Sequence, residues 1–167
     1  MKFPDYMTPI WLNNEGNKDE YADFFPDVAF KDGENYTLRI VCDTDRAVYL
    51  DGKLISFGQY ADYPDTPVYE DVVLLAKAGS VLKITAWHSG IDSQTHVATK
   101  AYVAFCIYEN GKPIYSSSEE TLCRPTPEYV AHLCKIITPQ MGAGFAMTSR
   151  AEAEDLKNAV EIEVAIS

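Results

Sequence analysis

Two dipeptides constrain this chain more than any other feature. Asp51-Gly52 lies between Ala47-Val48-Tyr49-Leu50 and Lys53-Leu54-Ile55, and Asn110-Gly111 lies between Ala104-Phe105-Cys106-Ile107-Tyr108 and Pro113-Ile114-Tyr115. Each pair supplies two residues that tolerate positive φ, which a type I′ turn requires, and each is flanked by β-branched and aromatic residues. Two antiparallel hairpins are expected, and a chain built around them is expected to be a β protein.

The rest of the sequence agrees. Tyr36, Leu38, Ile40 and Cys42 alternate with Thr37, Arg39 and Val41, the pattern of a half-buried strand. Strands are also expected at 68–75 and 81–87, joined by Lys77-Ala78-Gly79-Ser80, and at 160–166, where Val160, Ile162, Val164 and Ile166 alternate with polar or small residues. The stretch 102–107 is apolar on both faces, as in a central strand of a two-layer structure. Only Ala151 to Lys157 is rich in helix formers, and it is long enough for a short helix or a loop at most. Short strands at regular spacing, with long connections at 57–67 and 88–100, predict a jelly-roll β-sandwich of one domain over 1–167.

Charge and cysteines narrow the function. Fourteen Lys and Arg against 25 Asp and Glu give a net charge of −11, the wrong sign for a phosphate backbone or an anionic membrane surface. No apolar run approaches the ~20 residues of a membrane span, and the N-terminus has no continuous apolar segment of the kind that directs export. Cys42, Cys106, Cys123 and Cys134 show no C-x-x-C spacing and lie in apolar or strand-like sequence, so free buried thiols and a cytoplasmic location are expected. A disulfide framework in an exported protein is the alternative.

No nucleophile elbow, zinc-protease helix or phosphate-binding loop is present. Gly142-Ala143-Gly144 reads as a tight turn into Phe145-Ala146-Met147. The acidic residues Glu15, Asp19, Glu20, Asp23, Glu152, Glu154 and Asp155 read as solvated faces. His88, Asp92 and His96 are residue types that ligate metals, but their spacing fits no standard site, so neither a metal nor a cofactor is expected. The loop 57–69 places Phe57, Tyr60, Tyr63 and Tyr69 among Gln59, Asp62, Asp65 and Thr66. Aromatic faces beside amides, hydroxyls and carboxylates suit sugar recognition, and they equally suit a long loop pinned by its own rings.

The ordered set Ala47-Val48-Tyr49-Leu50-Asp51-Gly52-Lys53-Leu54, Phe57-Gly58-Gln59-Tyr60, Asp62-Tyr63-Pro64, Val68-Tyr69-Glu70-Asp71, Lys77-Ala78-Gly79-Ser80-Val81-Leu82, Trp87-His88-Ser89-Gly90-Ile91-Asp92-Ser93, Ser118-Glu119-Glu120-Thr121 and Ile137-Thr138-Pro139-Gln140-Met141-Gly142 resembles the N-terminal sandwich of bacterial α-L-rhamnosidases, glycoside hydrolase family 78. The resemblance covers roughly residues 10 to 165. It implies a galactose-binding-like jelly roll set before an (α/α)₆ barrel that carries the catalytic acid and base. The chain is then expected to be a fragment with no catalytic residue of its own, its partners being that catalytic domain and, weakly, a rhamnose-containing glycan.

Two other functions remain open: an independent carbohydrate-binding module, and a small hydrolase or isomerase using His88, Asp92 and His96. The expected sugar site is the sandwich end from which the loops 57–67 and 88–100 leave. There Tyr60, Tyr63 or Trp87 would stack on the ring, and His88, Asp92 and His96 would bind its hydroxyls. Alternation of His88 with Leu82, Ile84 and Ala86 also allows it to be a core residue.

Overall fold

The computed structural model describes residues 6–14, 19–59, 69–90, 100–127, 135–138, 142–144 and 156–164. In chain order its strands are β1 (Ile10–Trp11), β2 (Glu20–Phe25), β3 (Tyr36–Cys42), β4 (Asp45–Leu50), β5 (Lys53–Gln59), β6 (Glu70–Leu74), β7 (Leu82–His88), β8 (Val103–Glu109), β9 (Lys112–Ser116), β10 (Leu122–Pro125), β11 (Lys135–Thr138), β12 (Gly142–Gly144), β13 (Lys157–Asn158) and β14 (Val160–Glu161). There is no helix among the described residues.

Two antiparallel sheets face each other. The first runs β14-β1-β8-β3-β6, with β9 on the same edge of β8 as β1, and the second runs β13-β10-β2-β7-β4-β5. The chain passes repeatedly from one sheet to the other, as in a sandwich closed by crossovers. Both hairpins form as expected: Asp51 and Gly52 take φ of 53° and 78°, Asn110 and Gly111 take 50° and 81°, the left-handed pair that type I′ turns require.

The core is filled from both sheets. Tyr36, Leu38 and Ile40 point inward from β3, with Thr37 and Arg39 on the outer face. Val103 to Ile107 of β8 are buried on both faces, and β8 sits inside its sheet between β1 and β3. Opposite them lie Ala22 and Phe24 of β2, Val48 and Leu50 of β4, and Leu82, Ile84 and Ala86 of β7. Trp11 packs on Phe24 at 5.7 Å between ring centres.

Several expectations are corrected. Glu20 to Phe25 is a strand inside the second sheet, and neither Asp19 nor Asp23 is solvated. Asp23 accepts hydrogen bonds from Thr85 Oγ1 at 2.7 Å, Thr126 Oγ1 at 2.9 Å and Arg124 Nε at 3.2 Å, which compensates its desolvation. Gly142–Gly144 is a strand paired with β11 rather than a turn. Lys157 pairs with Cys123 in β13 rather than ending a helix. Among the described residues of the last alternating segment, the strand is Val160–Glu161, which pairs with Trp11 and Ile10. Glu15, Cys134, Phe145 to Met147 and 151–155 lie outside the described residues, whereas Cys42, Cys106 and Cys123 are free and buried.

Candidate functional site

The sheet register gathers one set of connections at a single end of the sandwich. Asp45, the first residue of β4, pairs with Gln59 of β5 on one side and with Trp87 of β7 on the other. The segments 60–68 and 91–99 therefore leave from the same end of the second sheet. In the first sheet β3 ends there at Cys42, opposite Val103, and β6 begins there at Glu70. The short crossing Asp43-Thr44 links the two sheets at this point.

That crossing is a buried polar knot. Asp43 Oδ2 lies 2.6 Å from His88 Nδ1 and accepts from Thr44 Oγ1 at 2.8 Å. Asp43 Oδ1 accepts from the backbone N–H of Tyr102 at 3.1 Å. Thr44 Oγ1 in turn accepts from the N–H of Ser89 at 3.1 Å, and the carbonyl of Ser89 accepts from the N–H of Asp19 at 3.0 Å. A carboxylate can only accept, so His88 carries a proton on Nδ1. One aspartate thereby ties together β3, the start of β8 and the end of β7, and three donors compensate its burial.

Beside this knot is a charged cluster. Arg46 Nη2 donates to Glu70 Oε2 at 2.6 Å, bridging the two sheets, while the Arg46 side chain is 3% exposed. Its Nη1 is buried and makes no hydrogen bond among the described residues. The guanidinium lies over Gly58, and a β-carbon there would fall 1.6 Å from Nη1. Burial raises the Asp45 carboxyl from 3.8 to about 7; Asp43 pushes it the same way, and Arg46 opposes them.

Of the expected site residues, Tyr60, Tyr63, Asp92 and His96 lie outside the described residues. Trp87 presents no face to solvent. It is 1% exposed, its ring stacks on Tyr21 at 5.9 Å and its Nε1–H donates to Asp19 Oδ1 at 2.8 Å. His88 likewise is buried on the core side of β7, edge-on to Trp11, with Nδ1 committed to Asp43. Neither is positioned to touch a sugar or a substrate. No group of three His, Cys, Asp or Glu among the described residues is arranged to hold a metal.

Sequence reasoning passed over Asp43, Arg46 and Glu70. Two signals pointed to them: the charged run Asp43-Thr44-Asp45-Arg46 set between two apolar strands, and a glycine inside strand-like sequence at 58, where close approach of another group is a recurrent cause. Chemically, the described part of this end is a buried polar floor. Its carboxylates Asp43 and Asp45 are both buried, and Asp43 is saturated with donors.

No protein-family model and no curated protein matches the sequence. Among solved structures, the chain is similar to a GH78 family rhamnosidase of Bacillus sp. GL1, with a TM-score of 0.75 and 15% identity over 95% of this chain and 18% of that one. It is also similar to a lectin from Pleurotus ostreatus in complex with GalNAc, with a TM-score of 0.53 and 13% identity over 92% of this chain and 42% of that one. The chain spans less than a fifth of the rhamnosidase and less than half of the lectin, and at these identities what it shares with both is an all-β sandwich fold.

Proposed function

We propose that this chain is a non-catalytic accessory domain of an α-L-rhamnosidase-like glycoside hydrolase, which packs against a separate catalytic domain and holds carbohydrate weakly. The observation that carries this reading is the fold likeness to the rhamnosidase, which takes in nearly all of this chain and a small part of that one. Such a ratio is what an auxiliary module of a larger hydrolase gives.

The described carboxylates favour the same reading. Glycoside hydrolysis needs two carboxyl groups about 5–9.5 Å apart across a sugar pocket. Asp43 and Asp23 are buried and committed to three donors each, and the more exposed Glu70 and Asp71 are paired with Arg46 and Arg39. A hydrolase or isomerase built on His88, Asp92 and His96 would need His88 at a surface, and His88 is buried on the core side of β7. In the proposed reading a sugar at the sandwich end meets Tyr60, Tyr63, Asp92 and His96, whose segments leave beside Gln59 and Gly90, while Trp87 and His88 support that end from below. A reducing, cytoplasmic setting, in which Cys42, Cys106 and Cys123 stay thiols, is part of the proposal. An independent carbohydrate-binding module is the second reading, favoured by the likeness to the lectin.

Two measurements test the proposal. The purified chain should not hydrolyse an aryl α-L-rhamnoside; turnover that survives purification and disappears in Asp92→Ala overturns the non-catalytic assignment. An NMR titration with L-rhamnose and D-galactose should give saturable shifts at about millimolar sugar. Their absence at tens of millimolar would leave a purely structural domain.

A further inference from the structure

We propose that Asn110 is a site of spontaneous deamidation, at which loss of ammonia turns the hydrogen-bond donor that holds Glu34 into a carboxylate that repels it. The modification releases the loop before β3 from the β8–β9 turn. The inference is independent of the carbohydrate reading: β3 and β8 pair from Cys42 and Val103 at the loop-bearing end to Tyr36 and Glu109 at the opposite one, where this turn lies.

Asn110 is the only asparagine of the chain that a glycine follows. Both residues of the pair are exposed, and nothing lies within 4 Å of the place a β-carbon on Gly111 would take. With no side chain to shield it, the backbone nitrogen of Gly111 can close on Asn110 Cγ. A C–N bond forms there and the Cγ–Nδ2 bond breaks, and ammonia leaves with the proton that the Gly111 nitrogen gives up. Water then opens the five-membered imide at one of its two carbonyls, giving aspartate or isoaspartate. Water is the only co-reactant, and the product is one charge more negative than the −11 of the native chain.

The partners of the side chain are those of an amide. Asn110 Oδ1 accepts from the backbone N–H of Asn35 at 3.1 Å, and Nδ2–H donates to Glu34 Oε2. The N–H of Asn110 also donates to the carbonyl of Asn35 at 2.8 Å. One side-chain partner is a donor and the other a carboxylate, a set that a carboxamide satisfies and a carboxylate does not. The other type I′ turn shows the contrast. Asp51 Oδ1 accepts from the N–H of Val81 at 2.9 Å and Oδ2 from Ser80 Oγ at 3.0 Å, and these two donors hold its carboxyl below the ordinary range. The two turns have the same backbone form, yet an acid is matched at 51 and mismatched at 110.

Either product sets a second negative charge beside Glu34 where the donor stood, which is unfavourable. The release is local. Tyr36 Oη accepts from the N–H of Lys31 at 2.8 Å and donates to Glu109 Oε2 at 3.3 Å, and Phe30 packs edge-on to Tyr36 at 4.8 Å between ring centres. Lys31 Nζ lies 3.6 Å from Glu109 Oε1. Phe30, Lys31 and Tyr36 therefore stay anchored while 32–35 loses its tie to the turn. Isoaspartate also adds a backbone atom between Glu109 and Lys112, the pair that closes the hairpin, so it disturbs the turn more than aspartate does.

The test ages the full native chain in mildly alkaline buffer, separates the more acidic species by ion exchange and locates the change by peptide mass spectrometry with isoaspartate detection. Conversion is expected at Asn110 before any other asparagine, and Glu34→Ala, which frees Nδ2, should speed it about two- to tenfold, the factor that one net hydrogen bond is worth. A second arm uses Asn110→Asp directly. It should lower the folded-to-unfolded ratio about two- to tenfold and speed hydrogen exchange at the amide of Asn35, and adding Glu34→Gln should restore both. Conversion first at another asparagine overturns the proposal, as does an Asn110 still intact after about a hundredfold the time that a synthetic peptide of residues 106–115 needs, a delay larger than the two side-chain bonds account for. A loss in Asn110→Asp that Glu34→Gln leaves unrelieved overturns the repulsion from Glu34.

Discussion

The guanidinium of Arg46 occupies the space that a side chain on Gly58 would need: a β-carbon there would lie 1.6 Å from Nη1 and 2.3 Å from Cζ. The two residues are paired across β4 and β5, and Arg46 reaches from this position to Glu70 on the other sheet. Gly58 is therefore required by a neighbour and not by its own backbone angles.

Gly58→Ala should force the guanidinium off Glu70 and destabilise the fold by roughly 1–3 kcal/mol, the ordinary cost of overpacking a buried site. The same substitution in an Arg46→Met background should cost clearly less, because the clashing group is gone. Urea unfolding of the four proteins of this cycle measures the coupling. Equal costs in both backgrounds would show that Arg46 is not the reason for the glycine.

Asp45 should make stability depend on pH with a definite sign. Its folded carboxyl keeps a proton up to about pH 7, whereas the unfolded one loses it near 3.8. The folded state binds the extra proton, so this group's contribution to stability falls as pH rises from about 4 to about 7 and is flat above. Asp45→Asn cannot ionise. It should therefore be more stable than the native chain at pH 8, by up to about 4 kcal/mol, with the difference shrinking toward zero at pH 4. Thermal melts of both proteins across that range check the prediction; a difference that grows on acidification contradicts it.

Removing the centre of the buried knot should be costly. Asp43→Ala strips partners from His88 Nδ1, Thr44 Oγ1 and the N–H of Tyr102. Leaving buried donors unpaired costs about 1–3 kcal/mol each, partly relieved by entering water, so a loss of roughly 3–5 kcal/mol is expected. His88→Ala opens a cavity beside Trp11 and should cost about as much. Hydrogen exchange should show the first protection lost at Ser89 and Tyr102, the amides that this knot holds.

The thiols should be free and inert in the native state. Cys42, Cys106 and Cys123 are buried, burial holds the Cys42 thiol well above its ordinary range, and it raises that of Cys123 to about 11. Alkylation without reductant, read by mass spectrometry, should label these three only after denaturation, and all four cysteines of the chain then react. Fewer than four labels in the denatured protein indicate a disulfide.

The sequence by itself determined the hairpins, the facing of β3 and the central place of β8. Each depends on local requirements: positive φ at Asp51-Gly52 and Asn110-Gly111, a two-residue period at 36–42, and an unbroken apolar run at 102–107. For His88 the sequence left two places open, a sugar-binding one and, by alternation with Leu82, Ile84 and Ala86, a core one; the packing of the sandwich put it on the core side. Tertiary structure alone decided the fate of the charged residues. Asp23 reads as a solvated carboxylate until Thr85 and Thr126, 62 and 103 residues away, are brought to it. Asp43 likewise depends on His88 and Tyr102, and Arg46 on Glu70 and Gly58. A charge is buried only where distant donors or acceptors converge to replace its water; the charged run 43–46 and Gly58 mark such a place, but nothing local names the partners that converge on it. The two-residue strands β1 and β13 are of the same kind, because pairing with a neighbour defines them and no periodicity of their own announces it.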